Sequence, residues 1–143
     1  MLTRLLALGT TAAVLLSTAL ALPGRATAQI SSCPVADSES IAVCVDRGPE
    51  GVYVVGDQIT ICVTVNVPQI LIFPPPPPPQ VRITSQVDED TPTTIFEDGV
   101  RSSHCFEAMI VAPTGRERLV AFVLDDNGGV IATSSVSFLS VNQ

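Results

Sequence analysis

The sequence predicts an all-β protein, an antiparallel β-sandwich of seven to eight strands. Short segments in which apolar and polar residues alternate recur along the chain, as strands with one buried face require. In the clearest of them, Ile59, Ile61, Val63 and Val65 share one face. Turn-forming clusters separate these segments at intervals of about ten residues, and no segment after residue 28 has helical periodicity. This combination indicates an immunoglobulin-like sandwich.

Eight strands are predicted, and residues that favour turns separate them. The strands cover residues 41–47, 52–55, 58–67, 80–87, 93–97, 102–111, 117–124 and 129–141. The strongest turn signal is Asn127-Gly128, because both residues tolerate the positive φ of a tight hairpin turn. In the usual immunoglobulin arrangement, strand 58–67 lies between strands 41–47 and 102–111, and strand 93–97 completes that sheet.

Residues 1–28 have the three parts of a secretory signal peptide. Arg4 provides a positive start, an uncharged run follows from Leu5 to Leu22, and Ala26-Thr27-Ala28 matches the small-x-small pattern of a cleavage site. An uncleaved membrane anchor is the competing interpretation. It is disfavoured because the run is at the short limit for a span and ends at Pro23-Gly24. A lipid anchor on Cys33 is disfavoured because residues 23–32 separate this cysteine from the run.

Cleavage after residue 28 leaves 115 of the 143 residues, which we divide into an N-terminal arm (29–40) and a sandwich domain (41–143) with a proline-rich loop at 68–80. The full chain has 7 basic and 14 acidic residues; without Arg4 and Arg25, five basic residues face fourteen acidic ones, a net charge of −9. This charge disfavours nucleic acid and anionic membranes as partners. We expect a secreted or cell-envelope protein with no cofactor and no membrane span after cleavage. Its partner is expected to be another protein or a surface component.

Four cysteines follow the leader, and an even number in an exported chain indicates two disulfides. A zinc site is disfavoured because there is no C-x-x-C motif and the single histidine directly precedes Cys105. Since strand 58–67 lies between the other two, Cys44 and Cys105 are expected to be too far apart to pair. We prefer Cys33 with Cys44 and Cys62 with Cys105. The pairing of Cys44 with Cys62 and of Cys33 with Cys105 stays open.

Two short stretches resemble a known family. The segment Tyr53-Val54-Val55-Gly56-Asp57-Gln58-Ile59-Thr60-Ile61 resembles the Y-x-x-G-D-x-V-x-I start of the first long strand in bacterial surface and macroglobulin-type sandwich domains. The segment from Leu124 to Ile131 is similar to the acidic-Gly hairpin before their last strand. The resemblance implies a bacterial immunoglobulin-like fold. It supplies no catalytic residues, and a fold does not define a function.

The most unusual feature is a run of six prolines behind an apolar segment. Proline has no N–H and a fixed φ, so the run cannot join a sheet and should form a polyproline II rod of about 19 Å. Such a rod is either a rigid ligand for an aromatic groove or a stiff loop between strands 58–67 and 80–87. The candidate interaction loop comprises Ile70, Leu71, Ile72, Phe73, Pro74, Pro75, Pro76, Pro77, Pro78 and Pro79.

Two other features of the sequence bear on possible chemistry. The acidic clusters Asp88-Glu89-Asp90 and Asp125-Asp126-Asn127 could offer oxygens to Ca²⁺ if they met at one end of the sandwich, but neither has the spacing of a known calcium loop. His104 is the only candidate general base and is predicted to be a packed or boundary residue on the inner face of strand 102–111. Ser102 and Ser103 beside it do not form a triad, because neighbours on a strand point to opposite faces. No catalytic residue and no metal ligand are assigned.

These observations rank three hypotheses above an enzyme. The first is a non-catalytic exported sandwich that binds or presents through its loops or an edge strand. The second is a structural subunit of a surface assembly, joined by strand addition. The third is a secreted protease inhibitor that offers the proline-stiffened loop.

Overall fold

The structure, a computed structural model, describes residues 29–66, 68 and 72–143. The predicted leader, residues 1–28, lies outside the described residues, as do Ile70 and Leu71 of the candidate interaction loop. The described chain forms eight strands and no helix. The strands are β1 (Ile41–Val45), β2 (Val52–Val54), β3 (Gln58–Val65), β4 (Gln80–Val87), β5 (Thr93–Gly99), β6 (Ser103–Met109), β7 (Gly115–Leu124) and β8 (Val130–Val141).

The strands form the two sheets of an immunoglobulin-like sandwich, as the sequence predicts. One sheet has the order β1-β3-β6 and the other the order β2-β8-β7-β4-β5. All pairs are antiparallel except β2 with β8, which run parallel. The chain crosses from the first sheet to the second between β1 and β2, through a turn in which Gly48 and Glu50 have φ of 73° and 61°.

The sheet that β5 joins differs from the prediction. The sequence predicts that strand 93–97 lies in the same sheet as β6, but β5 pairs with β4 and runs to Gly99. The physical reason is the short connection at residues 88–92, because loops of this length join neighbouring antiparallel strands. Alternation of apolar residues defines the buried face of a strand, but it leaves open which sheet the strand extends.

The main core lies between the inner faces of the two sheets. Ile59, Ile61, Val63 and Val65 of β3 all point into it, as their period of two predicts. The second sheet contributes a matching set that is at most 7% exposed: Val81, Ile83, Leu119, Ala121, Val123, Val136 and Phe138. Each fully buried side chain of this size contributes roughly 1.5–3 kcal/mol, so this core is the principal source of stability.

The outer face of the three-stranded sheet carries the cysteines. Cys44, Cys62 and Cys105 lie in one row across β1, β3 and β6. Cys62 pairs with Cys105 (Cα–Cα 4.1 Å) and Cys44 pairs with Cys33 of the N-terminal arm (Cα–Cα 5.7 Å), in agreement with the preferred pairing. The arm covers this row, since Ile30 packs against it and Cys33 is 4% exposed.

The contacts of Tyr53 and of the turn after β2 account for the Y-x-x-G-D part of the motif that begins at Tyr53. Its ring is fully buried and packs edge-on against Phe138, with ring centroids 5.0 Å apart. Its hydroxyl donates a hydrogen bond to Oδ1 of Asp46 at 2.7 Å. Burial first, and then this hydrogen bond, raise the pKa of Tyr53. Gly56 takes φ of 95° in the following turn, and Oδ2 of Asp57 accepts a hydrogen bond from the N–H of Val54.

The connections between strands lie at two ends of the sandwich. The proline end holds the β3–β4, β5–β6 and β7–β8 connections, and the opposite end holds the other four. Gln80 pairs with Leu124 and Val87 with Glu117 across β4 and β7. The two acidic clusters therefore lie at opposite ends, about 25 Å apart along a strand of this length. They do not meet, so a shared calcium site has no basis in this fold.

Candidate functional site

The sandwich is open along one side, between β5 and β6. β6 is the edge of the three-stranded sheet and β5 is the edge of the five-stranded sheet. Among the described strands, none pairs with either of them on the open side. The other two edges differ, because β2 is only three residues long and the N–H of Val43 on β1 donates to Oγ of Ser134 on β8 at 3.2 Å.

A β-bulge turns β5 toward this opening. Ile83 pairs with Phe96 and the next residue, Thr84, pairs with Thr94, so Ile95 is an extra residue in β5. A bulge re-aims side chains and bends the edge of a sheet. Here Ile95 lines the opening, while Phe96 packs against the main core. The side chains of two consecutive residues of β5, Ile95 and Phe96, therefore both lie on the inner side of the sheet.

The opening is an apolar cleft of about 400 Å³, which we call the β5–β6 cleft. Its walls belong to β4, β5 and β6 and to the residues that follow β6. It reaches the core, because its lining includes Ile59, Ile61, Phe106, Ala108 and Phe138. At its mouth, Ile95, Met109 and Val111 are 39%, 60% and 64% exposed. A cleft of this size with apolar walls is typical of a binding site.

Three rings close the cleft toward the Ser103 end of β6. Phe96 of β5 stacks on Phe106 and on His104 of β6, with centroids 5.3 Å and 4.9 Å apart. His104 thus shares the side of β6 on which Phe106 lies, as predicted, but it is exposed at the boundary rather than buried. It is engaged with aromatic rings, and a catalytic role for it has no support in this geometry.

The charged residues that line the cleft are all acidic: Asp90, Glu107 and Glu117. Glu107 and Met109 alternate with Phe106 and Ala108 along β6, so their side chains leave β6 on the side of Cys105 and border the mouth from outside. Glu117 accepts a hydrogen bond from the hydroxyl of Ser85. No arginine and no histidine is among the lining residues in the described part of the chain. The cleft therefore has an apolar floor, and Asp90 at its mouth also borders a neighbouring depression that Arg116 and Arg118 line.

The described part of the candidate interaction loop lies at the proline end, away from the cleft. Phe73 is 97% exposed and Ile72 is 55% exposed. The prolines form no strand, in line with the missing N–H. The tract is held where it meets β4, because Val100 donates a hydrogen bond to the carbonyl of Pro79 at 2.9 Å and Pro78 lies against Gly99.

Sequence reasoning predicted the strands beside the cleft but not the cleft itself. The bulge at Ile95 and the placement of β5 create it, and neither is encoded in a local pattern. Within residues 29–66, 68 and 72–143, no group of three or more His, Cys, Asp or Glu side chains could hold a metal ion. In the same part of the chain, no helix is long and apolar enough to cross a membrane.

Sheet topology defines the class of this protein as an immunoglobulin-like β-sandwich. No protein-family model matches the chain, and no curated protein matches it. Among solved structures, it is similar to the fibronectin(III)-like modules of Clostridium thermocellum CbhA, at 14% sequence identity and a TM-score of 0.43. That match covers 71% of this chain and 96% of the other. At such values nothing known of those modules transfers to this chain, and its resemblance to macroglobulin-type domains stays at the level of the fold.

Proposed function

We propose that this protein is a non-catalytic, extracytoplasmic binding module that docks a protein partner on β5 and in the β5–β6 cleft. The observation that carries the proposal is the open side of the sandwich, where an apolar cleft reaches the core beside an unpaired strand edge. A free edge offers main-chain hydrogen bonds to an added strand, and a neighbouring cleft receives its alternate side chains.

The exposed apolar side chains at the mouth of the cleft favour a protein as the partner. Ile95, Met109 and Val111 expose between 39% and 64% of their surface around one opening. Grouped apolar exposure of this kind marks interaction sites, whereas single exposed apolar residues need no explanation. An extended segment on β5 would lie across the mouth beside Ile95 and satisfy the edge.

One feature of the sequence and one of the structure support the extracytoplasmic location. Residues 1–28 have the form of an export signal. All four cysteines are paired, and such disulfides persist in oxidising compartments. His104, the only histidine, stacks on Phe96, which supports a packing role for this residue.

A second candidate surface is the proline tract, and one observation favours it. Phe73 is 97% exposed directly before the proline run, which suits a contact that reaches into a partner. This surface would serve a presented ligand or an inhibitory loop. Strand addition on β5 would also join the chain to a surface assembly. The hypothesis of a structural subunit therefore uses the same cleft as the hypothesis of a binding module.

The experiment compares matched variants in a pull-down from envelope and secreted fractions of the source organism. Ile95→Asp places a charge in the cleft, and Ile131→Asp places the same charge at an exposed position of β8 near the proline end. Met109→Asp is the second cleft variant, because its 60% exposure makes it tolerant of the change. Circular dichroism confirms that each variant is folded.

We expect a partner that the wild type and Ile131→Asp retain and that both cleft variants lose. Equal retention by all four proteins would contradict the proposal. Loss with Phe73→Ala and retention by both cleft variants would move the site to the proline tract. A strict monomer with no retained partner would contradict both the binding role and the assembly role.

A further inference from the structure

The four cysteines lie together on the outer face of the three-stranded sheet. Cys44, Cys62 and Cys105 are direct partners in the register of β1, β3 and β6, so they form one row across the sheet. Cys33 of the N-terminal arm lies over this row, with its Sγ 3.0 Å from the carbonyl oxygen of Cys62. The central cysteine, Cys62, is bonded to Cys105 on one side and has Cys44 as its unbonded neighbour on the other.

We propose that this row is a thiol–disulfide exchange site, in which Cys44 displaces Cys105 from Cys62 and the substrate is a dithiol. The dithiol reduces the bond between Cys33 and Cys44 to two thiols and is itself oxidised to a disulfide. The thiolate of Cys44 then attacks Sγ of Cys62, so that a bond between these two sulfurs forms and the bond to Cys105 breaks. Cys105 leaves as a thiolate and takes up a proton. One disulfide, Cys44–Cys62, and two thiols, on Cys33 and Cys105, remain.

The register of the strands favours this exchange in two ways. Residues that face each other on neighbouring antiparallel strands have Cα atoms about 4.5–5.5 Å apart, within the roughly 4.4–6.8 Å that a disulfide spans. A bond between Cys44 and Cys62 therefore requires no movement of the strands. A thiolate attacks one sulfur of a disulfide and the other sulfur leaves. Three cysteines in a row place the leaving sulfur of Cys105 on the far side of Cys62 from the attack.

Burial determines which sulfurs a dithiol can reach. Cys33 and Cys62 are 4% and 0% exposed, whereas Cys44 and Cys105 are partly exposed, so each bond offers one accessible cysteine. Attack at Cys44 opens the bond to Cys33 and starts the exchange. Attack at Cys105 frees Cys62 instead, and its thiolate then takes Cys44 from Cys33. Both routes end with the same bond, Cys44–Cys62, and the same two thiols.

The exchange changes what the outer face of the sheet presents. The bond between Cys33 and Cys44 ties the N-terminal arm to β1, and the arm covers the row because Ile30 packs against it. In the product this tie is lost. The new thiol of Cys105 lies on β6, the edge strand of its sheet. A dithiol therefore loosens the arm and leaves a reactive thiol on the edge strand.

The test uses the mature chain with Cys33→Ser, which leaves Cys44 as a thiol beside the intact bond. The control carries Cys33→Ser, Cys44→Ser and Ala42→Cys, so its thiol is on the same face of β1 but opposite Thr64 instead of Cys62. Diagonal neighbours lie about 7–8 Å apart, too far for a disulfide without movement of the backbone. Circular dichroism confirms that both variants are folded.

The bonds are read by peptide mapping. Each protein is kept at about pH 8, near the ordinary thiol pKa, then quenched with acid, alkylated with iodoacetamide and digested with trypsin. Trypsin separates residue 44 from residue 62 and residue 62 from residue 105, because Arg47, Arg82 and Arg101 lie between them. The two possible bonds of Cys62 therefore join different pairs of peptides, which mass spectrometry distinguishes.

We expect the Cys33→Ser protein to form the Cys44–Cys62 bond within minutes to hours, the time scale of uncatalysed disulfide rearrangement, with Cys105 alkylated. The control should keep the bond between Cys62 and Cys105. An equimolar amount of dithiothreitol, added to the wild-type mature chain, should also give the Cys44–Cys62 bond, with Cys33 and Cys105 alkylated.

Three results would overturn the inference. The first is a folded Cys33→Ser protein that keeps only the bond between Cys62 and Cys105. The second is a wild-type chain in which dithiothreitol leads to alkylation of Cys33 and Cys44 alone. The third is equal exchange in the control, because exchange would then depend on opening of the fold and not on the row of cysteines. The wild-type measurement decides the matter if a variant does not fold.

Discussion

Phe96 and His104 stack across the open side of the sandwich, with ring centroids 4.9 Å apart and ring planes inclined by 27°. Phe96 belongs to β5 and His104 to β6, and these strands are the edges of different sheets. Phe106 extends the stack, 5.3 Å from Phe96. Because no main-chain ladder joins β5 to β6, ring contacts hold this end of the cleft.

Replacement of Phe96 by alanine should lower the free energy of unfolding by about 2 kcal/mol, less than for a fully buried phenylalanine. A double-mutant cycle with Phe106→Ala should give a coupling energy of about 0.5–1.5 kcal/mol, typical of an aromatic pair. Denaturant unfolding measures both quantities. Ile131→Ala, at an exposed position of β8, is the control and should change stability by less than about 0.5 kcal/mol. A coupling energy near zero would mean that the rings do not join the two edges.

Stability should fall at alkaline pH because of Tyr53. Burial and the Asp46 hydrogen bond raise its pKa in the folded state, whereas the unfolded chain has the ordinary value of about 10. Above that value the unfolded state releases a proton that the folded state retains. The stabilisation is therefore complete below pH about 10 and declines as pH rises toward the folded-state pKa.

The measurement is the urea midpoint from about pH 8 to about pH 11 for wild type and Tyr53→Phe. Tyr53 is the only tyrosine and the chain has no lysine, so few other side chains titrate in this range. The variant should be less stable by about 1–3 kcal/mol near neutral pH, because Asp46 loses a buried donor, and its alkaline decline should be absent. A wild type that forms tyrosinate while still folded would refute this account.

The two disulfides should contribute unequally to stability. Cys62–Cys105 closes a loop with a sequence separation of 43, and Cys33–Cys44 one with a separation of 11. The chain-entropy relation gives about 4 kcal/mol for the longer loop and about 3 kcal/mol for the shorter. Removal of each pair by alanine should therefore destabilise the domain more for Cys62 and Cys105. Denaturant unfolding of the two double variants checks the order, and the reverse order would contradict it.

The local sequence pattern predicted the structural features that depend on one strand and its immediate neighbours. The alternation in β3 predicted its buried face. The strand order excluded a bond between Cys44 and Cys105, and of the two pairings left open the preferred one is observed. The hairpin at residues 125–129 formed where Asn127-Gly128 predicted it, with Oδ1 of Asp125 accepting hydrogen bonds from two main-chain N–H groups. In each case the determining interactions lie within a few residues or one strand spacing.

The cleft depends on relations that no local pattern contains. Its walls are edges of different sheets, so the sheet that β5 joins determines whether the cleft exists at all. The sequence pattern also did not predict the buried hydrogen bond between Tyr53 and Asp46. Asp46 follows β1, and it is buried because it contacts a strand of the other sheet. A signal was present in the five-residue connection before β5, which favours a hairpin with β4.

Site-specific crosslinking tests the central claim most directly. A photoreactive amino acid is placed at position 95 in the cleft mouth, at position 73 in the proline tract, or at position 131 on β8, and each protein is irradiated in the envelope and secreted fractions. The account predicts a discrete crosslinked protein from position 95 and none from position 131. Crosslinking from position 73 alone, or from no position, would contradict docking in the β5–β6 cleft.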